Sequence, residues 1–429
     1  MEEWKEYKLG EVCKSIADGD HMPPPKVNSG IPFVTISNIV DCRLDFSNTY
    51  YVPQEYYDSL DVKRKPQQGD TIYSVVGTFG KPVYIKDNKP FVFQRHIAIL
   101  RPDESKIDPQ FLFYTLLSPQ FYRKADVMAI GAVQRTISLT SLRNATIKVP
   151  PIYIQKGVVN ILKSLDDKIE VNRRINDNLE QQAQALFKSW FVDFEPFRDQ
   201  PFVESELGMI PEGWKVGSFL DNIYVMPGGT PSTNVDEYWK DGTIPFFSPK
   251  DANGVYCFET EKNITELGLN NCSSRLYPKD TLFITARGTV GKIALAGVPM
   301  AMNQSNYALA AKEGVGKFYL YLLTQTLVST LLKKANGAVF SAITTKDFNE
   351  PNLIPANNVM DSFEVIVKPI FDKIFQTSEE SRRLAELRDT LLPRLMSGEL
   401  SVDGLKGQSA VSPGQRPGSK EHVSNKTAL

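Results

Sequence analysis

The feature that most constrains this 429-residue chain is an internal repeat. Six landmarks recur in one order, displaced by 206 to 213 positions, which is too long for a solenoid and is typical of a duplicated domain. The pairs are Trp4-Lys5 with Trp214-Lys215, Gly30-Ile31-Pro32-Phe33 with Thr243-Ile244-Pro245-Phe246, Gly69-Asp70-Thr71-Ile72 with Lys279-Asp280-Thr281-Leu282, Gly77-Thr78-Phe79-Gly80-Lys81 with Gly288-Thr289-Val290-Gly291-Lys292, Gln94 with Gln304, and Gly131-Ala132-Val133 with Gly337-Ala338-Val339.

Within each copy, short β-branched and aromatic runs alternate with Gly, Pro and Asp-Asn clusters. Runs such as 31–39, 71–76 and 91–100 predict strands joined by turns, and apolar periodicity predicts helices over 109–117 and 317–332. Hydrophobic residues make up 41% of the chain, enough to build a core in each copy. Each copy is therefore expected to be a mixed α/β domain of about 150 residues.

Two long stretches have a different pattern, with apolar residues recurring every three or four positions. One predicts a helix over about 155–191, which at 1.5 Å per residue is roughly 55 Å long. The second closes the chain, and Pro369 lies early enough in it to bend or restart a helix. The list of stripe positions is Val158, Ile161, Leu165, Ile169, Asn172, Ile175, Leu179, Ala183, Leu186 and Trp190, then Phe363, Val367, Ile370, Ile374, Thr377, Ser381, Leu384, Leu387, Leu391 and Leu395.

A helix of that length needs a partner for its apolar stripe, and the nearest partner is the other stripe. The predicted fold class is therefore α+β, with two similar mixed α/β domains separated by two long helices that pack as an antiparallel coiled coil. Asn172 is expected either to set the register of this pair or to lie at its solvent-facing edge. The predicted domains are a first copy of the repeat (1–152), a central helical spacer (153–200), a second copy of the repeat (201–356), a C-terminal helical spacer (357–402) and a disordered tail (403–429).

Charge and cysteine content exclude several classes of protein. The formal net charge is −1, and the four cysteines form no Cys-x-x-Cys pair, which argues against a zinc ribbon and indicates small buried or partly buried thiols in a reducing compartment. The N-terminus lacks the apolar core of a signal peptide, and no run of eighteen apolar residues is present. We therefore expect a cytoplasmic protein without a membrane partner.

The motifs that carry enzyme chemistry are missing. The three histidines, His21, His96 and His422, have no spacing that suits a metal or a catalytic triad. The Gly-Thr-Phe/Val-Gly-Lys turns resemble a phosphate-binding loop only superficially, because the earlier Gly and the Ser or Thr after the Lys are absent. A tight turn between strands is the favoured interpretation. The sequence also lacks an Asn/Asp-Pro-Pro-aromatic tetrapeptide and a glycine-rich S-adenosylmethionine site, so we expect no catalytic residues.

Two helical segments and the repeated turns carry a resemblance to a known family. Residues 186–194 (Leu-Phe-Lys-Ser-Trp-Phe-Val-Asp-Phe) and 387–400 (Leu-Arg-Asp-Thr-Leu-Leu-Pro-Arg-Leu-Met-Ser-Gly-Glu-Leu) resemble the specificity subunit of type I restriction-modification enzymes. The resemblance covers roughly residues 1–402. It implies a non-catalytic subunit with two target recognition domains, each reading one half of a bipartite, asymmetric sequence in double-stranded DNA, with the helices as a ruler between them.

The resemblance also implies partners and cofactors. Two modification (methyltransferase) subunits would bind S-adenosylmethionine, and two ATP-dependent restriction subunits would use ATP and Mg; this chain would hold no cofactor and no metal. The apolar end of the first long helix is expected either to dock under the second domain or to meet another subunit. The candidate subunit-binding residues are Leu186, Phe187, Trp190, Phe191, Leu391 and Leu392.

Neither copy is basic as a whole, since residues 1–150 hold 19 basic against 17 acidic side chains and residues 211–356 hold 13 of each. DNA contacts are therefore expected from local clusters. The candidates are Arg64, Lys65, Lys81, Arg95 and Arg135 in the first copy and Lys250, Arg275, Arg287, Lys292 and Gln304 in the second. Two alternatives remain: a protein-interaction scaffold without direct DNA contact, and a stand-alone nuclease or methyltransferase, which the missing catalytic signatures disfavour.

Overall fold

The computed structural model describes residues 4–19, 24–131, 134–334 and 342–402, which form two compact units. The first unit lies within Met1–Asp166 and Glu386–Leu429, and the second is Asp167–Ala385. His21, His422, the predicted tail and parts of the last repeat landmark lie outside the described residues. The predicted domain boundaries at 152, 200 and 356 remain predictions.

The first unit combines short strands with short helices. Its strands are β1 (Lys5–Lys8), β2 (Cys13–Asp18), β3 (Ile31–Val34), β4 (Ile39–Val40), β5 (Arg43–Leu44), β6 (Tyr50–Val52), β7 (Thr71–Ser74), β8 (Pro82–Tyr84), β9 (Val92–Phe93), β10 (Ile97–Pro102) and β11 (Thr146–Val149). Its helices are α1 (Leu9–Val12), α2 (Gln54–Ser59), α3 (Pro109–Leu117), α4 (Pro119–Met128) and α5 (Leu139–Asn144), and the long helix α6 (Ile152–Phe191) follows them. The helix predicted over 109–117 is confirmed as α3.

Among its described residues, the second unit has a similar order of strands with fewer α-helices between them. Its strands are β12 (Phe202–Ser205), β13 (Gly208–Pro211), β14 (Lys215–Ser218), β15 (Ile223–Pro227), β16 (Ile244–Phe247), β17 (Tyr256–Cys257), β18 (Asn263–Ile264), β19 (Leu282–Thr285), β20 (Ile293–Ala296), β21 (Ala301–Met302), β22 (Asn306–Ala311) and β23 (Pro351–Ile354). Its helices are α7 (Glu266–Asn270), α8 (Lys317–Lys334) and the long helix α9 (Asn357–Ser397), which continues into the first unit.

The sheets of the two units share most of their strand order, which confirms the duplication, and the central sheet of the second unit has β17 as a fifth strand. The central sheet has the order β2-β10-β7-β8 in the first unit and β15-β22-β19-β20-β17 in the second. A smaller sheet has the order β6-β3-β9 in the first and β18-β16-β21 in the second, each with one antiparallel and one parallel neighbour of the middle strand. The pair β1-β11 corresponds to β14-β23.

Backbone hydrogen bonds place two of the sequence landmarks one residue away from the predicted pairing. Gly69 N donates to Ile85 O and Asp280 N donates to Ala296 O, so Gly69 is equivalent to Asp280. Both residues have a positive φ, which is 93° for Gly69 and 66° for Asp280. Ile97 N donates to Gln94 O and Asn306 N to Asn303 O. Gln94 is therefore equivalent to Asn303, and the predicted pairs Asp70 with Asp280 and Gln94 with Gln304 are wrong by one position, because similar residue types stand next to the equivalent ones.

Two of the predicted strands are interrupted. The run 31–39 ends as a strand at Val34, because the Asn38 side chain accepts a 2.8 Å hydrogen bond from Thr35 N and stabilises a short 3-10 helix over Ile36–Asn38. The run 91–100 is divided into β9 and β10 by a turn that begins at Gln94, whose N–H bonds to Val34 O. The run 71–76 ends as β7 at Ser74.

The long helices pair antiparallel to each other within each unit. In the first unit, Val158 and Leu162 of α6 share a core with Leu392 and Leu395 of α9. In the second unit, Phe187 shares a core with Phe363, and the fully buried Asn172 donates a 2.7 Å hydrogen bond to Glu380. Helix α9 runs through Pro369 without restarting. Leu387, which was predicted in the stripe, is 46% exposed, and the neighbouring Arg388 instead forms an ion pair of 2.9 Å with Asp166.

The four cysteines are free thiols, as predicted. Cys13 and Cys257 are buried, and burial raises the pKa of each thiol to about 12. Cys42 and Cys272 are half-buried. The two buried thiols therefore contribute to the packing of the two units and stay protonated at neutral pH.

Candidate nucleic-acid interface

In the first unit, three connections meet at one end of the central sheet. They are the β7–β8 turn, the turn between β9 and β10, and the segment before α5. Val75 N donates to His96 O at 2.9 Å, Gly77 N to Arg135 O at 3.0 Å, and Ile137 N to Val75 O at 2.8 Å. Backbone hydrogen bonds therefore fix the three connections side by side, while their side chains remain available for other contacts.

The second unit assembles the same end of its sheet in the same way. Ala286 N donates to Ser305 O at 2.8 Å, and Ile343 N donates to Ala286 O at 2.9 Å. The loop after β15 joins this cluster, because a Cβ at Gly228 would lie 2.1 Å from Asn303 O. Only a residue without a side chain permits this approach, and Gly19 of the first unit is in the same relation to Phe93 O at 2.1 Å.

The Gly-Thr-Phe/Val-Gly-Lys segments form tight turns between strands, as predicted. In the first unit, Ser74 Oγ accepts the N–H of Lys81 at 3.0 Å and donates to Thr78 O at 2.9 Å. Thr285 makes the same two contacts to Lys292 and Thr289. The two glycines of each turn have φ between 69° and 88°, which glycine adopts without strain. A phosphate-binding loop would instead open a helix, and these turns open a strand.

Six of the ten predicted DNA-contacting residues occupy equivalent positions in the two units and so form three pairs. Lys81 and Lys292 each end the glycine turn, and Arg95 and Gln304 each follow the residue that begins the next turn. Arg64 and Arg275 each lie three residues before a turn closed by a hydrogen bond, from Asp70 N to Gln67 O and from Thr281 N to Pro278 O. The sequence landmarks already pair Lys81 with Lys292, whereas the pairs Arg95 with Gln304 and Arg64 with Arg275 follow only from the hydrogen bonds of the turns.

These residues differ in their exposure to solvent and in the side chains that they contact. Arg95 is exposed, with Nε 3.5 Å from His96 Nε2; burial of His96, together with the Arg95 charge, lowers the pKa of the imidazole. Lys81 is half-buried, and Lys292 and Gln304 are exposed. Gln304 accepts a hydrogen bond from the Thr230 hydroxyl. Arg64 forms a loose ion pair of 3.6 Å with Asp18.

The other predicted residues lie on the same or neighbouring loops. Lys65 donates to Asp58 O at 2.9 Å. Arg135 is paired with Asp126 and lies 5.2 Å from the centre of the Phe79 ring. In the second unit, Lys250 forms an exposed ion pair with Glu261 at 3.0 Å, and Arg275 and Arg287 are exposed.

Sequence reasoning missed a set of basic residues beside the edge strand of the first unit. Lys14 of β2, Lys63 of the loop before β7 and Arg143 of α5 line one cleft together with Arg64. Lys14, Lys63 and Arg143 are 49 to 129 positions apart from one another in the chain, so no local motif signals the cluster. Their common position depends on the packing of α5 and the 61–64 segment against β2, which only the fold provides.

The candidate subunit-binding residues fall into two groups. Phe187, Phe191 and Leu392 are 5%, 6% and 2% exposed and belong to the cores of the units. Phe191 lies 4.8 Å from Tyr319 and 4.8 Å from Phe363 between ring centres, so this segment docks under the second domain, the first of the two expected arrangements. The half-buried members are Leu186, Trp190 and Leu391.

Within residues 4–19, 24–131, 134–334 and 342–402, no three His, Cys, Asp or Glu side chains form a group that could hold a metal ion. In the same ranges, no helix combines the length and the apolarity that a membrane crossing requires.

Comparison with known proteins identifies the family. The profile described as "Type I restriction modification DNA specificity domain" matches residues 1–181 and 211–355, one match for each copy of the repeat. The chain therefore belongs to the family of type I restriction-modification DNA specificity domains and carries two of them. The resemblance noted from the two helical segments and the glycine turns is confirmed.

Two curated relatives match along nearly their whole length. The specificity subunit of the type I restriction enzyme HindI from Haemophilus influenzae is 26% identical, with 93% of this chain and 100% of that protein covered. A putative specificity subunit of the type I restriction enzyme MjaX from Methanocaldococcus jannaschii is 25% identical, with 94% of each covered. The crystal structure of a type I restriction-modification S subunit from M. genitalium matches with a TM-score of 0.51 and 15% identity over 92% of this chain and 96% of that one, which shows a shared fold.

Proposed function

We propose that this chain is the DNA-reading subunit of a type I restriction-modification complex. Each unit reads one half of a bipartite, asymmetric DNA site, and the paired helices set the spacing of the two halves. The chain catalyses no reaction. Its family membership and the names of its relatives support this function, and it acts in the cytoplasm, where the DNA is.

The observation that carries the proposal is the recurrence of one loop cluster on two equivalent sheet ends with different side chains. Lys81 and Lys292 keep a positive charge at equivalent positions, as expected for contacts to the phosphate backbone, which is the same in every sequence. Arg95 and Gln304 occupy equivalent exposed positions with different chemistry. Arginine pairs best with guanine and glutamine with adenine, so the two units are suited to different bases.

The proposed partners follow from the same assignment. Two modification subunits bring S-adenosylmethionine and methylate adenine in the recognised site, and two restriction subunits bring ATP and Mg. The half-buried Leu186, Trp190 and Leu391 are the proposed subunit contacts, because each presents part of an apolar side chain to solvent on a long helix. Phe187, Phe191 and Leu392 hold the same segments in place from the core side.

The test is to express the full chain with its modification subunits and to map methylated adenines in cellular DNA with and without this chain. We expect one bipartite motif that disappears when the chain is omitted. Binding of the purified complex to that motif should weaken steeply with salt, because phosphate contacts release counterions. Methylation that persists without the chain would contradict the proposal. Partner binding with no salt-dependent DNA affinity would instead identify a protein-interaction scaffold.

A further inference from the structure

A cleft lies beside the edge strand of the first unit, and Arg64 is the predicted DNA-contacting residue that lines it. Its volume is about 480 Å³, and it is open to solvent at the surface of the unit. One wall is β2, which lies at the edge of the central sheet next to β10. The other walls are the segment that carries Asp61, Lys63 and Arg64 and helix α5 with Leu139 and Arg143.

The lining of the cleft is mainly cationic. Lys14, Lys63, Arg64 and Arg143 carry four positive charges, and Asp18 and Asp61 carry two negative charges, so two positive charges remain. The Asp61 carboxylate accepts the backbone N–H of Lys63 at 2.8 Å, which fixes the short 3-10 helix and directs that segment along the cleft. An anion in the cleft would therefore contact basic side chains whose backbone is held by hydrogen bonds.

Two of the arginines are held in place by contacts to β2. Arg143 uses Nη2 to donate a 2.6 Å hydrogen bond to Ile16 O on the edge strand, and a guanidinium has four further N–H donors. Arg64 lies 3.6 Å from Asp18 at the end of the same strand. A planar guanidinium oriented in this way suits the paired oxygens of a phosphate group.

The cleft adjoins the proposed reading loops. Asp18 pairs with Ala98 in the sheet register, and Gly19 N donates to Ile97 O at 3.2 Å, just after the turn that carries Arg95. A DNA strand whose bases lie against the Arg95 turn therefore has its backbone within reach of β2. Each DNA strand carries a phosphate about every 3.4 Å of helix axis. Five consecutive residues of β2, 14–18, line the cleft.

The second unit keeps one member of this lining, Arg275 as the counterpart of Arg64, but its edge strand differs. The strand registers make Ser15 equivalent to Tyr224 and Asp18 equivalent to Pro227. Tyr224 is 60% exposed and lies under Lys312, at 5.6 Å from the Lys312 ammonium to the ring centre. An aromatic ring with a lysine above it therefore stands at the edge position that Ser15 holds in the first unit.

We propose that this cleft binds the phosphate backbone of the DNA beside the half-site read by the first unit, with Lys14, Lys63, Arg64 and Arg143 as its ligands. This inference rests on the proposed function and adds a contact that the second unit lacks. The two halves of the site are consequently bound with unequal dependence on salt.

The test uses the full chain assembled with its modification subunits and compares Lys14→Ala/Lys63→Ala with the unchanged protein. Both side chains are exposed, so the variant is expected to fold. The matched control is Lys86→Ala/Lys89→Ala, which removes two exposed charges from the loop after β8, the strand at the opposite edge of the sheet from β2. Affinity for the specific DNA is measured at several salt concentrations.

We expect the slope of log affinity against log salt to become shallower by about 0.9 for each phosphate contact removed, so by nearly two in the cleft variant. The control should keep the slope of the unchanged protein, and the methylated sequence should be the same for all three. An unchanged slope in the cleft variant, with DNA binding intact, would overturn the cleft proposal alone. If the unchanged protein bound DNA with no dependence on salt, or did not bind it, the proposed function itself would be overturned.

A second measurement separates backbone phosphate from free phosphate. Neutral methylphosphonates are placed one at a time along the DNA strand, and each is combined with the Lys14→Ala/Lys63→Ala variant. We expect the two changes to be non-additive at one or two adjacent positions of the first half-site and additive elsewhere. Additivity at every position would overturn the proposal. A second outcome would also overturn it. In that outcome, inorganic phosphate stabilises the unchanged protein against heat more than chloride does at equal ionic strength, and fails to stabilise the variant, while the salt dependence of DNA binding is the same in both. The cleft would then bind a free anion and not the DNA backbone.

Discussion

In the first unit the Asp70 carboxylate forms a two-pronged ion pair with Arg101, whereas the equivalent positions of the second unit are Thr281 and Ala310. Asp70 is 2% exposed, and the pair has distances of 3.0 and 2.9 Å. Arg101 also donates to Lys65 O at 2.8 Å, so the ion pair supports the segment that carries Arg64. The same sheet is thus built with a buried ion pair in one unit and with neutral residues in the other.

The helix that follows β10 or β22 shows a second difference. Asp108 caps α3 of the first unit, accepting the N–H groups of Gln110 and Phe111 at 2.9 and 3.1 Å. In the second unit, the N–H groups of Phe318 and Tyr319 are accepted by Glu364 of the long helix α9. The two comparisons show that the backbone was retained after duplication while the side chains that support it were replaced. Specificity and stability are therefore expected to change separately in each unit.

The largest expected effect comes from breaking the ion pair of the first unit. Asp70→Thr, which installs the second unit's residue, should lower the free energy of unfolding of the first unit by about 3–5 kcal/mol, because the buried Arg101 loses its counter-charge. Hydrogen exchange of the β7 and β10 amides, followed by mass spectrometry, measures the loss. The second unit serves as the internal control and should exchange at its original rate.

The double variant Asp70→Thr/Arg101→Ala decides whether charge or packing is the cause. It should recover part of the lost stability, since no unpaired charge remains in the sheet. If the double variant lost more free energy of unfolding than the two single variants lose together, the pair would be needed for packing. The loop that carries Arg64 should exchange faster in every variant that lacks Arg101, because Lys65 O and Val62 O lose their donor.

The repeat and the helical periodicity made the duplicated α/β fold and the two long helices predictable, because both depend on the order of residues along the chain. The exact equivalence of positions was not predictable. Gln94 and Gln304 look alike, but hydrogen bonds in the turns make Arg95 the counterpart of Gln304. The basic cleft was also missed, since Lys14 and Arg143 are 129 positions apart and meet only because α5 packs on β2.

The next largest effect concerns base reading by the pair Arg95 and Gln304. Arg95→Ala should weaken binding by about 1–3 kcal/mol and relax the sequence preference at a position of the first half-site only. Gln304→Ala should do the same in the second half-site. Methylation mapping in cells that express each variant with the modification subunits measures both. A variant that altered both halves together would contradict independent reading by the two units.

A smaller effect is expected at the lysines that end the glycine turns. Lys81→Ala and Lys292→Ala should each weaken binding about equally for all DNA sequences and reduce the salt slope by about 1, as expected for one phosphate contact. The two variants should match, because the turns that hold the two lysines have the same hydrogen bonds. Lys81→Arg and Lys292→Arg are the controls, and they should keep the slope. A change in the methylated sequence would show instead that these lysines contact bases.

The smallest effect is a pH dependence confined to the second unit. Burial raises the pKa of Glu364, and the N–H groups of Phe318 and Tyr319, which act in the opposite direction, offset this only in part. Since its pKa is higher in the folded state than in the unfolded state, the folded state binds the proton more tightly, and stability is lost as pH rises through the folded pKa. Glu364→Gln should therefore remove the fall in stability of α8 as pH rises above the ordinary glutamate range, measured by hydrogen exchange corrected for pH.

Gly316 supplies the control for this cap. A Cβ at Gly316 would lie 2.3 Å from a carboxylate oxygen of Glu364, so Gly316→Ala should displace the carboxylate at every pH, whereas Glu364→Gln changes only the pH dependence. Helix α3, which is capped by its own Asp108, should not respond to either variant. If Glu364→Gln left the pH profile of α8 unchanged, the carboxylate would not be the group that titrates, and the difference between the two caps would have no consequence for stability.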